Sequence, residues 1–195
     1  MNNNKLTKVQ RTLVLISGIL LIIVLFVPLW RIDFWAPQYP EGLVMLMYPS
    51  KLAGDVEIIN GLNHYIGMKT LHTKDFIEFT ILPYLIGAYA LFCFLVYFIN
   101  KKGGLAALFW AFAIFGVVAM FDFYRWEYNY GHNLDPSAPI QIPGMSYTPP
   151  LIGYKQLLNF EVYSIPHIGG SIFFGTGIIL LIAYVLPLIK KRKKV

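Results

Sequence analysis

Besides one cysteine, the chain carries only four histidines and six methionines as soft or borderline metal ligands. His64, Met68 and His72 follow one another at intervals of four, so on a helix all three side chains would project from one stripe. Imidazole with thioether suits copper, above all Cu(I), and suits calcium or magnesium poorly. His132, in Gly131-His132-Asn133-Leu134-Asp135-Pro136, and Met145, in Pro143-Gly144-Met145-Ser146, sit in turn-rich sequence and would each add one ligand on a bend. The candidate metal set is therefore His64, Met68, His72, His132 and Met145. Each has a competing structural reading, with methionine as packing, histidine as a local hydrogen-bonding group, and the two bends as ordinary turns. A b-type haem would need His72 with His167, and neither a second histidine within an apolar run nor a C-x-x-C-H motif supports it.

Other polar constellations are few. Asp122, Arg125 and Glu127 cluster where an apolar run ends. Asp122 and Arg125, three apart, are expected to pair on a helix face, with Glu78 as a further partner, and to anchor the following loop rather than catalyse. No phosphate-binding glycine loop, G-x-S-x-G or H-E-x-x-H motif occurs, and the apolar runs hold no ionisable pair. The expectation is a protein that is not an enzyme.

These residues must be positioned by a mostly apolar chain, 57% hydrophobic and 13% charged over 195 residues, which is too apolar for a soluble domain of that size. Four runs without Lys or Arg have the length to cross roughly 30 Å of hydrocarbon: residues 13–30, 76–99, 103–121 and 168–189. The expected fold is an all-α integral membrane protein with four transmembrane helices, a basic N-terminal segment at 1–12, outer loops at 31–75 and 122–167, a turn at 100–102 and a basic tail at 190–195. A cleaved signal peptide is disfavoured, because the first run is long and ends in Pro28-Leu29-Trp30-Arg31 with no small-residue cleavage site. Cys93 lies mid-run and reads as a packing residue.

Charge is sorted by side. Lys5, Lys8, Arg11, Lys101, Lys102 and the tail from Lys190 to Lys194 supply ten cations with no acidic neighbour, whereas all ten carboxylates fall in or beside the two long loops with six cations. Such sorting places both termini and the 100–102 turn in the cytoplasm and the chain in the inner membrane. The basic clusters then face anionic membrane lipid and not nucleic acid.

The loops carry prolines early and many aromatic residues, so they read as folded surfaces lying near the headgroups. Helices along the membrane surface are expected at Leu62 to Leu71 and Leu151 to Phe160. Ile66-Gly67-Met68-Lys69-Thr70-Leu71 matches Ile152-Gly153-Tyr154-Lys155-Gln156-Leu157 at four of six positions, which suggests a two-fold internal repeat of two spans and one loop.

Through Gly61-Leu62-Asn63-His64-Tyr65-Ile66-Gly67-Met68, Tyr128-Asn129-Tyr130-Gly131-His132-Asn133-Leu134-Asp135-Pro136 and Pro143-Gly144-Met145, the chain resembles a small family of four-span membrane proteins encoded in nitrous-oxide-reductase gene clusters. The resemblance implies an accessory factor for a periplasmic copper enzyme or its assembly factors. Taken with the ligand inventory, it leads to the expectation of a non-enzymatic protein that holds or delivers copper through the five residues above. Two alternatives stay open. One is a docking or scaffold subunit without metal, in which changes at Trp126 or Tyr130 would impair maturation of the partner; the other is a b-haem or quinol subunit.

Overall fold

The structure, a computed structural model, describes residues 4–142, 144–157 and 159–192, the side chains of 187–192 excepted. Pro143 of the Pro-Gly-Met bend and residues 193–195 of the basic tail lie outside the described residues.

Helices form one layer of the molecule. Helix α1 (Lys8–Val24) starts at a capping box in which the Thr7 hydroxyl accepts from Gln10 N and the Gln10 side chain accepts from Thr7 N. Helices α3 (Glu78–Ile99), α4 (Lys102–His132) and α5 (Ile168–Arg192) complete the bundle, with α1 packed against α3 and α5. Gly18 lets α1 approach α3 closely: a Cβ there would lie 3.1 Å from Cys93 Cβ and 3.4 Å from Ala90 O. Several polar groups in the bundle are satisfied internally. Gln10 Nε2 donates to Ala183 O at 2.9 Å, Ser17 Oγ to Leu13 O at 3.0 Å, and Thr176 Oγ1 to Ile172 O at 2.9 Å. Outward-facing Phe98, Trp110, Val117 and Phe121 are exposed, as expected of a surface wetted by lipid.

Among the described residues, three helices are long and apolar enough to cross a membrane: Glu78–Ile99, Lys102–His132 and Ile168–Leu186. The expected fourth span at 13–30 is corrected. Helix α1 has 17 residues, about 25 Å at 1.5 Å per residue, and it ends at Val24. The apolar residues that follow turn at Pro28 and enter a sheet, where Leu29 N donates to Met47 O.

That sheet overturns the all-α expectation. Strands β1 (Trp30–Ala36), β2 (Tyr39–Met47), β3 (Leu52–Gly54), β4 (Gly153–Leu157) and β5 (Phe160–Pro166) form one antiparallel sheet in the order β3-β2-β1-β5-β4. The two long loops are thus halves of one structure, joined where Ile32 pairs with Ser164 and Phe34 with Val162. Side chains alternate across the sheet. Trp30, Ile32, Leu43, Met45, Leu157 and Val162 face a second core, shared with helix α2 (Val56–Tyr65) and with Phe123, Trp126 and Tyr130 of α4. At 31 residues, α4 is about 46 Å long, more than the bilayer's hydrocarbon needs, and its surplus forms one wall of this core.

The internal repeat fails at its best match. Residues 66–71 are irregular chain after α2, whereas 153–157 are strand β4. The first loop supplies three strands and a helix, the second two strands. The surface helices fail for the same reasons. Gly67 at φ +78° ends the first, and the second is a hairpin whose Phe160, Val162 and Ser164 point inward while Glu161 and Tyr163 point outward.

The opposite end of the bundle gathers cations. Lys5 pairs with Lys101 across an isolated backbone bridge, Lys102 N donates to Asn4 O, and Leu6 N donates to Asn100 Oδ1. Asn100 sits in the left-handed region at φ 58°, closing the turn after α3.

Candidate functional site

The helical stripe on which the copper trio rests does not form. His64 is on α2 and exposed; Met68 lies beyond the reversal at Gly67 and is buried in the sheet core; His72 precedes the short 3-10 turn Thr73–Asp75 and is half-buried. A Cβ on Gly67 would meet Asp135 O at 2.8 Å, so the reversal is fixed by the second loop, whose Asp135 N donates to Gly67 O. His132 ends α4, stacks on Tyr128 at 3.9 Å, and its Nδ1 lies 2.9 Å from Tyr128 O and 3.0 Å from Thr148 Oγ1. Met145 packs on the sheet core. Among the described residues no group of three or more His, Cys, Asp or Glu is assembled as a metal site. His72 and His167, the haem pair, lie at different joints, and His167 N donates to Leu29 O where β5 passes into α5.

Asp122 and Arg125 do pair, Nη2 to Oδ1 at 3.4 Å on the exposed side of α4, without Glu78. Glu127 does not join them. It is 1% exposed, one turn above Phe123, whose ring meets Trp30, and one turn below Gly131, whose missing Cβ makes room for Thr148. Neither Glu127 carboxyl oxygen has a hydrogen-bond partner, nor does the buried Tyr147 hydroxyl. Composition gave no hint of this; the helical register from Phe123 to Gly131 is the signal that would have found it. Trp126 and Tyr130 line the interior as well. They enclose, with Met68 and Tyr147, an apolar cavity of about 50 Å³, and the Tyr130 hydroxyl donates to Lys69 O at 2.6 Å.

The far face of the sheet is different, because its side chains belong to neither of the two cores. Strand register puts Trp35 directly opposite Glu161, Glu161 opposite Gln156, Tyr163 opposite Tyr154, and Asp33 opposite Tyr163. Tyr154 and Tyr163 are 56% and 38% exposed. With Trp35, Ala36, Pro37, Asn159 and Glu161 they line an open cleft of about 600 Å³. Trp35 is held in place by Gly42 on β2, at φ +85°, where a Cβ would come within 2.7 Å of the indole Nε1. Arg31 and Asp33 are paired on the same face, Nε to Oδ1 at 2.8 Å.

Protein-family models, curated proteins and solved structures contain no match to this chain. The open face is the part of the molecule left to be assigned. It offers a rigid, partly aromatic surface with a cleft, held roughly 17 Å along β1 from the strand's junction with the bundle. Sequence reasoning did single out loop aromatics as a docking surface, but chose Trp126 and Tyr130, which face inward.

Proposed function

We propose that this chain is a membrane-anchored docking protein. The helical bundle holds it in the cytoplasmic membrane, the basic end faces the cytoplasm, and the sheet stands on the outer side, where its open face binds a partner. The observation that carries this reading is the asymmetry of the sheet: one face is sealed by α2 and α4, and the other leaves Trp35, Tyr154 and Tyr163 around an open cleft. Ordered aromatic side chains fixed by a scaffold are typical centres of binding energy. Sorting of the cations to the far end supports the orientation.

The resemblance to proteins of nitrous-oxide-reductase gene clusters names the class of partner, a periplasmic copper enzyme or one of its assembly factors. Copper holding by His64, Met68, His72, His132 and Met145 rests on that resemblance and on residue type, since the chain does not gather the five.

The test is photo-crosslinking in intact cells, with benzoylphenylalanine in place of Tyr163 and, as control, in place of lipid-facing Phe98. The expected result is a discrete adduct from position 163, identified by mass spectrometry as a protein with an extracytoplasmic domain, and none from position 98. Adducts from neither position, or from 98 alone, would sink the reading.

A further inference from the structure

We infer that the cleft on the open face receives a cationic side chain, arginine or lysine, from a basic segment of the partner polypeptide. This rests on the docking reading above and specifies its chemistry. Glu161 is the centre of the argument. It is exposed and sits between Trp35 on the neighbouring strand and Gln156 on the other side, with Tyr163 two residues along on the same face. Directly opposed residues of an antiparallel pair lie about 5 Å apart at Cβ, and same-face neighbours along a strand about 7 Å apart. With Tyr154 paired opposite Tyr163, three aromatic side chains share the cleft with this carboxylate.

No cation of the described chain serves Glu161. The one cation that the strand register puts on this part of the face, Arg31, is bound to Asp33, and among the described residues the other ion pair is Asp122 with Arg125 on α4. The rings of Trp35, Tyr154 and Tyr163 make no stacking contact with one another among the described ring pairs, so their faces are not blocked by each other. Ring faces attract a cation through the quadrupole, and a carboxylate supplies the counter-charge; arginine combines both in one planar group. A single such contact at an exposed site is weak, so the occupant is a segment with several cations. The wider charge pattern agrees, because the two loops that build this side of the molecule, residues 31–75 and 122–167, carry nine carboxylates against six cations.

A neutral saccharide could also lie on tyrosine and tryptophan rings, but it would leave the Glu161 charge without a counter-ion. The two occupants separate experimentally. The full chain, in discs of phosphatidylcholine to avoid peptide binding to anionic lipid, is titrated into a fluorescein-labelled hexapeptide of alternating arginine and glycine, read by anisotropy. The same peptide with citrulline for arginine and unlabelled maltoheptaose are run beside it. The expected result is binding of the arginine peptide that weakens at least tenfold with citrulline and at least tenfold in Glu161→Gln. Gly42→Ala, which pushes against the Trp35 indole, weakens it too, and Glu57→Gln on α2 leaves it unchanged. Equal binding by Glu161→Gln, no binding of the arginine peptide, or displacement by maltoheptaose would overturn the inference. A crosslinked adduct at position 163 without arginine-peptide binding would overturn this inference alone and leave the docking reading standing.

Discussion

Glu127 and Gly131 lie one helical turn apart on α4 and make opposite demands on the contact between that helix and the second loop. Glu127 places a carboxyl with two unpartnered oxygens in a site 1% exposed. Burying such a group without hydrogen bonds costs on the order of 2 kcal/mol or more, and an apolar side chain of similar shape removes that cost. Glu127→Met should therefore raise the thermal midpoint in detergent, by roughly 1–3 kcal/mol in stability; a lowered midpoint would mean that the carboxyl has a partner. Gly131 acts by absence, since a Cβ would lie 2.4 Å from both Thr148 N and Cα. Gly131→Ala should destabilise by about 1–3 kcal/mol, as overpacking against backbone does, measured by the same melt. Residue types in the sequence were readable where contacts are local, as in the Asp122 and Arg125 pair. They misled where a fold-level contact intervenes. The spacing of His64, Met68 and His72 assumed a continuous helix, and Gly67, held at positive φ against Asp135, breaks it.

At the scale of elements, two of the strands are marked in the sequence by alternation. Trp30-Arg31-Ile32-Asp33-Phe34 and Phe160-Glu161-Val162-Tyr163-Ser164 each alternate inward and outward side chains, a period of two that apolar content alone conceals. Prolines early in both loops suggested extended or turning chain there and the aromatic content a folded surface, but pairing between strands over 120 residues apart in sequence leaves no local mark. Strand β5 is the joint, hydrogen-bonded to β1 on one side and β4 on the other. Proline at a central strand position removes a ladder donor, so Val162→Pro should dismantle the sheet while leaving the bundle inserted. Limited proteolysis should then cut within 133–160, where the parent resists. The hydrogen bond from Trp30 Nε1 to Ser164 Oγ, 2.8 Å and buried, offers a milder probe. Ser164→Ala should cost about 1–3 kcal/mol because the indole donor is left unpaired.

For the whole molecule, the apolar content pointed to a membrane, and among the described residues three helices meet the length and composition of a span. The shape of the outer part was not legible, because the first and second loops fold only against each other. Expressed separately, residues 1–100 and 101–195 should each be degraded, since each half would expose the edge of β1 or β5 that pairs across the halves; a stable half in detergent would revive the idea of a duplicated unit. The claim that most depends on the whole is that one open sheet face stands on the side of the membrane away from the basic end. Thiol labelling with a membrane-impermeant maleimide tests it directly, since the native Cys93 is buried and silent. Tyr163→Cys should label in intact spheroplasts, and Lys101→Cys only after permeabilisation. Labelling of Lys101→Cys without permeabilisation, or a Tyr163→Cys that stays unlabelled in permeabilised cells, would contradict the account.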